Sequence, residues 1–167
     1  MNAWYVVYAH PGSERRAEFN LQRQGFLTYI PMFLRTRMHA RKIENVPSPL
    51  FPRYVFVSFN PALDSWRPIC STYGVSKLVS FGDKPVEVPR YVIDGLKCRE
   101  EENGYIRTWP MEIFKKGETV RLVGSLLGDK IGKITEFKSS ERVTLLMEMM
   151  GHQVRIKVPA ASLTPMN

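Results

Sequence analysis

The sequence predicts an α+β protein in two modules: an N-terminal α/β sandwich over residues 1–102, a linker at 103–115, and a small β-barrel of about five strands over 116–167. Three observations lead there. Short β-branched and aromatic runs alternate with helical stretches in the first module. Residues 100–116 turn polar and then carry Trp109-Pro110, which breaks regular structure. From Lys116 onward there are few helix starts, and strand-length segments are separated by regular turn signals.

Trp4-Tyr5-Val6-Val7-Tyr8-Ala9 reads as the first strand and His10-Pro11-Gly12 as its turn. Ser13 is placed to cap a helix over 14–24, Glu14 sits where a carboxylate suits the helix dipole, and Gly25 stops the helix. Ala17 and Leu21 make its packing face. Arg16, Asn20 and Arg23, with Gln24 beside them, make a polar and basic face at the same spacing. A second strand fits 27–33, interrupted by Pro31. Arg35, Arg37, Arg41 and Lys42 follow with no acid between them, as a solvated hairpin or loop. Pro47, Pro49 and Pro52 bar a helix interior from 46–53. Residues 54–59 form a strand ended by Asn60-Pro61. Residues 64–71 form a short helix against the preference of Pro68, and 75–81 a strand turned by Gly82-Asp83. A helix over 90–102 takes Tyr91, Val92, Leu96 and Cys98 as its apolar positions. In the last module the strands are 119–123, 130–137, 142–150 and 152–158. The final one alternates Val154, Ile156 and Val158 against Gln153, Arg155 and Lys157.

Composition narrows the function. The chain has 167 residues, 44% of them apolar, enough for a packed core. Its apolar runs fall well short of the ~20 residues of a spanning helix, so no membrane segment is expected. The opening residues lack a basic stretch and a small-residue cleavage site, so no secretion signal is expected. Cys70 and Cys98 exclude a disulfide scaffold and a four-cysteine zinc site, and read as reduced thiols of a cytoplasmic protein. The net charge is +8, with 14 basic and 10 acidic side chains in residues 1–105 and 10 and 6 in the rest. Such an excess favours anionic partners, nucleic acid the commonest, without naming one. His10, His39 and His152 have no Cys, Asp or Glu neighbours at ligand spacing, and residues 128–132 lack the P-loop pattern. The glutamates at 100–102 read as a solvated helix end. Neither catalysis nor a metal or other cofactor is expected.

The opening Trp4-Tyr5-Val6-Val7-Tyr8, the block Leu50-Phe51-Pro52-Arg53-Tyr54-Val55-Phe56-Val57 and the stretch Gly74-Val75-Ser76-Lys77-Leu78-Val79 resemble the N-terminal domain of NusG-type transcription elongation factors. Gly117-Glu118-Thr119-Val120-Arg121-Leu122, with Gly124, Gly128 and Gly132-Lys133-Ile134 after it, is similar to the KOW motif of their C-terminal domain. The resemblance covers nearly the whole chain. Within the family, Trp4, Tyr5, Tyr8, Arg16, Arg23-Gln24, Pro31-Met32, Leu50-Phe51-Pro52 and Thr72 are similar to the RfaH-type antiterminators, a specialised group of paralogues.

That resemblance implies a non-enzymatic elongation and antitermination factor. Its partners would be bacterial RNA polymerase, single-stranded non-template DNA and, through the KOW domain, a ribosomal protein of the small subunit. It would act as a cytoplasmic monomer. By position, the polymerase-binding patch is Tyr8, Phe51, Pro52, Tyr54, Phe56 and Phe81 on the clamp helices. Alternation along a strand turns about half of such rings inward. Ser65, Trp66 and Arg67 stand where the RfaH type touches the gate loop, with Trp66 as the residue able to reach it. The DNA-binding set is Trp4, His10, Arg16, Asn20, Arg23, Gln24, Thr72 and Tyr73. His10, Asn20 and Tyr73 replace a lysine, a histidine and an arginine of the RfaH type, which shifts any sequence preference.

RfaH-type proteins can also hold the C-terminal domain as a helical hairpin over the polymerase patch. Residues 143–150 lack strict alternation, and Leu and Met favour helices. As a strand they would expose an apolar stripe, to which Leu126-Leu127 adds; as a helix they could bury it. Against the switch, Ser48 replaces an acidic residue that ties the two domains together in the RfaH type. Two alternatives stay open: a general NusG-like factor without autoinhibition, and a ribosome-associated KOW protein that binds RNA.

Overall fold

The structure is a computed structural model and describes residues 2–39, 42–108, 113–123, 129–139, 142–149 and 151–166. Arg41, Trp109, Pro110, Gly124, Leu126, Leu127, Gly128 and Met150, all within the elements and motifs expected above, lie outside the described residues. The chain divides into two units, Met1–Asp94 and Gly95–Asn167.

In the first unit, β1 (Ala3–Ala9) and β5 (Tyr54–Phe59) pair antiparallel at the centre of a sheet. Both are dense in β-branched and aromatic residues, which suit a pleated, buried surface. β2 (Leu27–Tyr29) flanks β5. β6 (Val75–Leu78) and β9 (Glu87–Val88) share the other edge of β1, at its end and its start respectively. Register then sorts the side chains. Tyr5, Val7, Ala9, Val55, Val57 and Phe59 point to one face and pack with Ala17 and Leu21 of α1 (Glu14–Arg23) and with Ile69, Val75 and Leu78. The valine, leucine, isoleucine and phenylalanine side chains among them, once buried, each stabilise by about 1.5–3 kcal/mol. Trp4, Val6, Tyr8, Tyr54, Phe56 and Ser58 point to the other face.

Several boundaries differ from the sequence reading. α1 ends at Arg23, and Gly25 follows in the left-handed region with φ of 89°. Ser13 precedes the helix, but its hydroxyl makes no capping hydrogen bond. Its carbonyl accepts from the Ala17 N–H at 2.8 Å, and the Glu14 carboxylate turns instead to the Arg53 N–H. The strand expected over 27–33 splits at Ile30-Pro31 into β2 and β3 (Met32–His39). β3 pairs with β4 (Lys42–Pro49) as a two-stranded ribbon, which carries Arg35, Arg37 and Lys42 of the basic stretch. Pro47 and Pro49 are tolerated in β4 because it needs a partner on one side only.

Residues 64–71 form a 3-10 helix over Arg67–Ser71 alone, started by Pro68. The strand at 75–81 breaks at Val79, whose N–H still donates to Val6 at 2.8 Å. Beyond the break, β7 (Ser80–Phe81) and β8 (Lys84–Pro85) make a small hairpin. α2 is shorter than expected, Arg90–Lys97. It buries Val92, Ile93 and Leu96, whereas Tyr91 and Cys98, expected on its apolar face, are exposed. The glutamate run lies past its end, where Glu100 bridges to Ile106.

The second unit is a five-stranded antiparallel sheet in the order β13 (His152–Pro159), β12 (Arg142–Met149), β11 (Lys130–Ser139), β10 (Thr119–Leu122), β14 (Leu163–Pro165). Its core holds Phe114, Val120, Leu122, Ile134, Val143, Leu145, Met147, Val158 and Leu163. Gly132 lies so close to Met147 and Leu145 that a side chain would collide with them. Most of the apolar surplus of 142–149 turns inward: Val143, Leu145 and Met147 are buried and Met149 is half-buried, while Leu146, on the outer face between Lys133 and Arg155, is half-buried. The expected exposed stripe does not form in this strand. The alternation expected in β13 fades along its length, with Val158 buried, Ile156 half-buried and Val154 exposed. β14 was not legible in advance; it is three residues long and follows a 3-10 turn over Ala160–Ser162.

Candidate functional site

Two loci lie on the two sides of the N-terminal sheet. The first is aromatic. β1 and β5 set Tyr8 opposite Tyr54, and their rings meet edge-on at 5.2 Å. Phe51 meets Phe56 at 6.3 Å, and Tyr29 meets Phe56 at 6.1 Å. Phe56 itself is only 2% exposed. It supports Phe51 and Tyr29 from beneath and is a wall of the patch, not a contact surface. Tyr8, Phe51 and Tyr54 are half-buried and Pro52 is exposed. Phe81 is 88% exposed at the β7–β8 turn and makes no ring contact among the described residues. Ser65 and Arg67 are exposed. Trp66 is not offered to a partner in the way expected. Its ring stacks on Phe59 at 6.1 Å with an 18° interplanar angle, so it packs on the α1 side of the sheet, away from Tyr8 and Tyr54.

The second locus is the outer face of α1 together with residues 72–74. Asn20 Nδ2 donates to the Arg16 carbonyl at 2.8 Å and to the Tyr73 carbonyl at 3.2 Å. Gln24 Nε2 donates to the Asn20 carbonyl at 3.1 Å and to Thr72 Oγ1 at 2.8 Å. The Arg16 guanidinium lies 5.1 Å from the Tyr73 ring centre and donates to its hydroxyl at 3.3 Å. Thr72 is buried and donates onward to the Pro68 carbonyl at 3.1 Å, so it braces Gln24 and does not face outward. Tyr73 is 70% exposed. Arg23 lies over Phe19, another exposed ring, at 5.9 Å. His10 is exposed, and its N–H donates to the Gly74 carbonyl at 3.0 Å, which ties the β1–α1 turn to the same loop.

Five of the residues expected to bind DNA therefore form one hydrogen-bonded cluster: Arg16, Asn20, Gln24, Thr72 and Tyr73. Arg23 sits one turn along the helix, and His10 borders the loop. Trp4 is not brought to them. It lies on the opposite sheet face and at the far end of β1, six residues from His10, or about 20 Å of strand.

Four residues missed by the sequence reading hold these loci together. Gly74, at φ of 98°, lets the loop touch α1: an added Cβ would sit 2.8 Å from the Ala17 nitrogen. Glu14 accepts the Arg53 N–H at 2.8 Å. Arg53 has a φ of 73° and places its guanidinium 4.0 Å from the Tyr8 ring centre. Lys77, opposite Tyr8 in β6, carries its ammonium 6.0 Å from that ring. Only Gly74 carried a signal, as a glycine between a loop and a strand. In the core on the α1 side of the sheet, burial and then Glu87 push the Tyr5 phenol above its ordinary pKa.

Chemically, the cluster on α1 offers amide donors, a guanidinium and an exposed ring, a set that suits bases and phosphates. The aromatic locus offers rings on a sheet, the usual anchors of protein interfaces. Among the described residues no group of three or more His, Cys, Asp or Glu could hold a metal ion, and no helix is long and apolar enough to cross a membrane.

A family profile described as "Transcription termination factor nusG" matches residues 2–97. The chain is similar to the protein named "Transcription termination/antitermination protein NusG" of Staphylococcus aureus, 25% identical across 93% of this chain and 91% of that one. It is 26% identical, with the same coverage, to the protein of that name from Staphylococcus epidermidis. A solved structure titled "Domain interaction in Thermotoga maritima NusG" aligns over 100% of this chain and 98% of its own, with 20% identity and a TM-score of 0.48.

Proposed function

The chain belongs to the NusG family of transcription termination and antitermination factors, and on that premise we propose that it is an RfaH-type antiterminator that bridges RNA polymerase and the exposed non-template strand. The observation that carries the reading is the two-sidedness of the first unit. The rings of Tyr8, Tyr54 and Phe51 lie on one face of the sheet, and the cluster of Arg16, Asn20, Gln24 and Tyr73 lies on the helix packed against the other. One small domain can thus touch the enzyme and a nucleic-acid strand at once. Tyr8, Phe51, Pro52 and Tyr54, with Phe81 beyond them, meet the clamp helices, and Ser65 and Arg67 face the gate loop. Arg16, Asn20, Arg23, Gln24 and Tyr73 take the strand, His10 borders it, and Thr72 positions Gln24.

Such a bridge suppresses pausing by binding one polymerase state better than the other. That differential affinity needs no chemistry from the factor, and the reading takes the protein to be a cytoplasmic monomer that acts without cofactor or catalysis. Residues 116–167 act as a KOW domain that recruits a ribosomal protein of the small subunit, with residues 103–115 as linker.

A second reading, a general NusG-like factor free of autoinhibition, is favoured by one observation. Arg142–Met149 is a strand that turns Val143, Leu145 and Met147 into its own core, which leaves only Leu146 and Met149 half-buried for a helical alternative to cover elsewhere. Circular dichroism separates the two readings. Excess helix in the full chain over the isolated 110–167 segment supports the switch, and equal strand content removes it.

The test of the main proposal is reconstituted transcription on a paused template with bacterial polymerase, with and without a non-template hairpin. Wild type shortens the pause. Tyr54→Ala abolishes the effect on every template, and Asn20→Ala weakens it only where the hairpin is present. A pause lifetime indifferent to the wild-type protein refutes the proposal.

A further inference from the structure

Arg53 occupies a position whose backbone suits glycine. Its φ of 73° lies in the left-handed region, which side chains with a Cβ visit at a cost. The local main-chain hydrogen bonds do not need the side chain. The Arg53 N–H donates to Glu14 Oε1 at 2.8 Å, and its carbonyl accepts from the Ala9 N–H at 2.7 Å. Glycine would make both bonds and relieve the strain. A residue that costs the fold something points to what its side chain does.

That side chain is held in place. Nε donates to the Ala9 carbonyl at 3.1 Å, and the guanidinium lies 4.0 Å from the centre of the Tyr8 ring. Among the described residues neither Nη group has a partner. Glu14 spends its carboxylate on the main chain and forms no ion pair with the guanidinium. The free end is thus a planar, pre-oriented fork, the arrangement that receives a carboxylate with two parallel hydrogen bonds. Lys77 brings a second cation to the same ring, at 6.0 Å, and has no acidic partner among the described residues. The aromatic locus is therefore rimmed by two unneutralised positive charges.

We propose that Arg53, seconded by Lys77, is a specificity-determining contact that receives carboxylates from an acidic surface of RNA polymerase. The inference rests on the reading above, that the aromatic locus meets the polymerase. Charge complementarity names the chemistry of the partner. A protein occupant is favoured over a nucleic acid because Arg53 lies in sequence between Pro52 and Tyr54 and in space against Tyr8, within an apolar and aromatic surface. The polar cluster suited to bases is on the other side of the sheet.

The test measures affinity of the full-length protein for purified core polymerase at two salt concentrations, in wild type, Arg53→Gly, Arg53→Lys and Tyr54→Ala. Thermal unfolding of each is followed in parallel. Arg53→Gly should weaken binding about tenfold or more and flatten its salt dependence, while the melting temperature holds or rises. Arg53→Lys, which keeps the charge and loses the fork, should fall between. Wild-type affinity in Arg53→Gly, with Tyr54→Ala impaired, overturns the inference and leaves the polymerase reading standing. A lower melting temperature with proportionate loss of binding also overturns it, because the side chain would then be an internal pin. If Arg53→Gly loses affinity for a single-stranded oligonucleotide and not for the polymerase, the occupant is nucleic acid and the inference fails. Absence of polymerase binding in wild type overturns the functional reading itself.

Discussion

Replacing Gly74 with alanine should do more damage than any other glycine substitution in the first unit, and the structure says by how much. The φ of 98° alone costs an L-residue roughly 1–2 kcal/mol. The new Cβ would lie 2.8 Å from the Ala17 nitrogen, 3.1 Å from its Cα and 3.3 Å from its Cβ. The first two are backbone atoms of α1, which cannot swing aside as a flexible side-chain end would, and such overpacking costs about 1–3 kcal/mol. Reduced freedom of the unfolded chain returns about 0.4–1 kcal/mol. The net loss is about 3 kcal/mol.

Gly12 supplies the control. Its φ is 68°, and an added Cβ meets nothing within 4 Å, so Gly12→Ala should cost only the conformational part, about 1 kcal/mol. Urea unfolding followed through the amide resonances of α1 compares the two. Gly74→Ala should lower the midpoint far more than Gly12→Ala. In a domain of this size the melting temperature should fall by more than about 10 °C. It should also weaken binding to a single-stranded oligonucleotide, since Tyr73 and Thr72 leave Asn20 and Gln24. Equal destabilisation by the two substitutions would refute the close approach of loop and helix.

Phe56→Ala, in the buried wall of the aromatic patch, should destabilise the first unit by about 3–5 kcal/mol in denaturant unfolding. Tyr54→Ala, half-buried beside it, should cost clearly less; equal costs would mean that Phe56 is not buried. Gly95, inside α2, has an ordinary φ and open space where a Cβ would go, so Gly95→Ala should stabilise by about 0.5–1 kcal/mol in the same assay. The Tyr5 phenol is held above its ordinary pKa of 10.0, by burial first and Glu87 second, so the fold prefers it protonated. That contribution is complete below pH 10 and is lost as pH rises through the folded value, so stability should start to fall above about pH 10. Tyr5→Phe should remove this alkaline decline. Glu136 is held below its ordinary value by the hydrogen bond from Lys138, so its carboxyl should titrate later on acidification than in Lys138→Ala, by NMR.

Much of the architecture was written in local pattern. Residues 54–59 are dense in β-branched and aromatic side chains between a proline-rich stretch and Asn60-Pro61, and they form β5 at the expected ends. The polar face of α1 followed from spacing alone, because residues three and four apart share a helix face wherever the helix packs. Other features were out of reach. β5 is apolar on both faces, Tyr54 and Phe56 on one and Val55, Val57 and Phe59 on the other. Alternation therefore cannot say which ring of the patch is buried. The 75–81 strand broke, and β9 and β14 were missed, because segments of two to four residues are defined by their partners and not by their own composition.

The order of the longer elements, the face carrying Arg16, Asn20 and Gln24, and the family could be read from the chain alone. All three depend on residue type and spacing along the chain. Packing in three dimensions was needed to make Phe56 a wall and Tyr54 a surface, to stack Trp66 inward on Phe59, and to let Gly74 bring Tyr73 to α1 while Trp4 stays on the other side of the sheet. It alone placed Arg53 over Tyr8 in a backbone conformation made for glycine. Gly74 with Ala17 and Arg53 with Tyr8 are contacts between residues tens of positions apart, and burial and strain arise only when the sheet's register and the helix's approach bring such residues together.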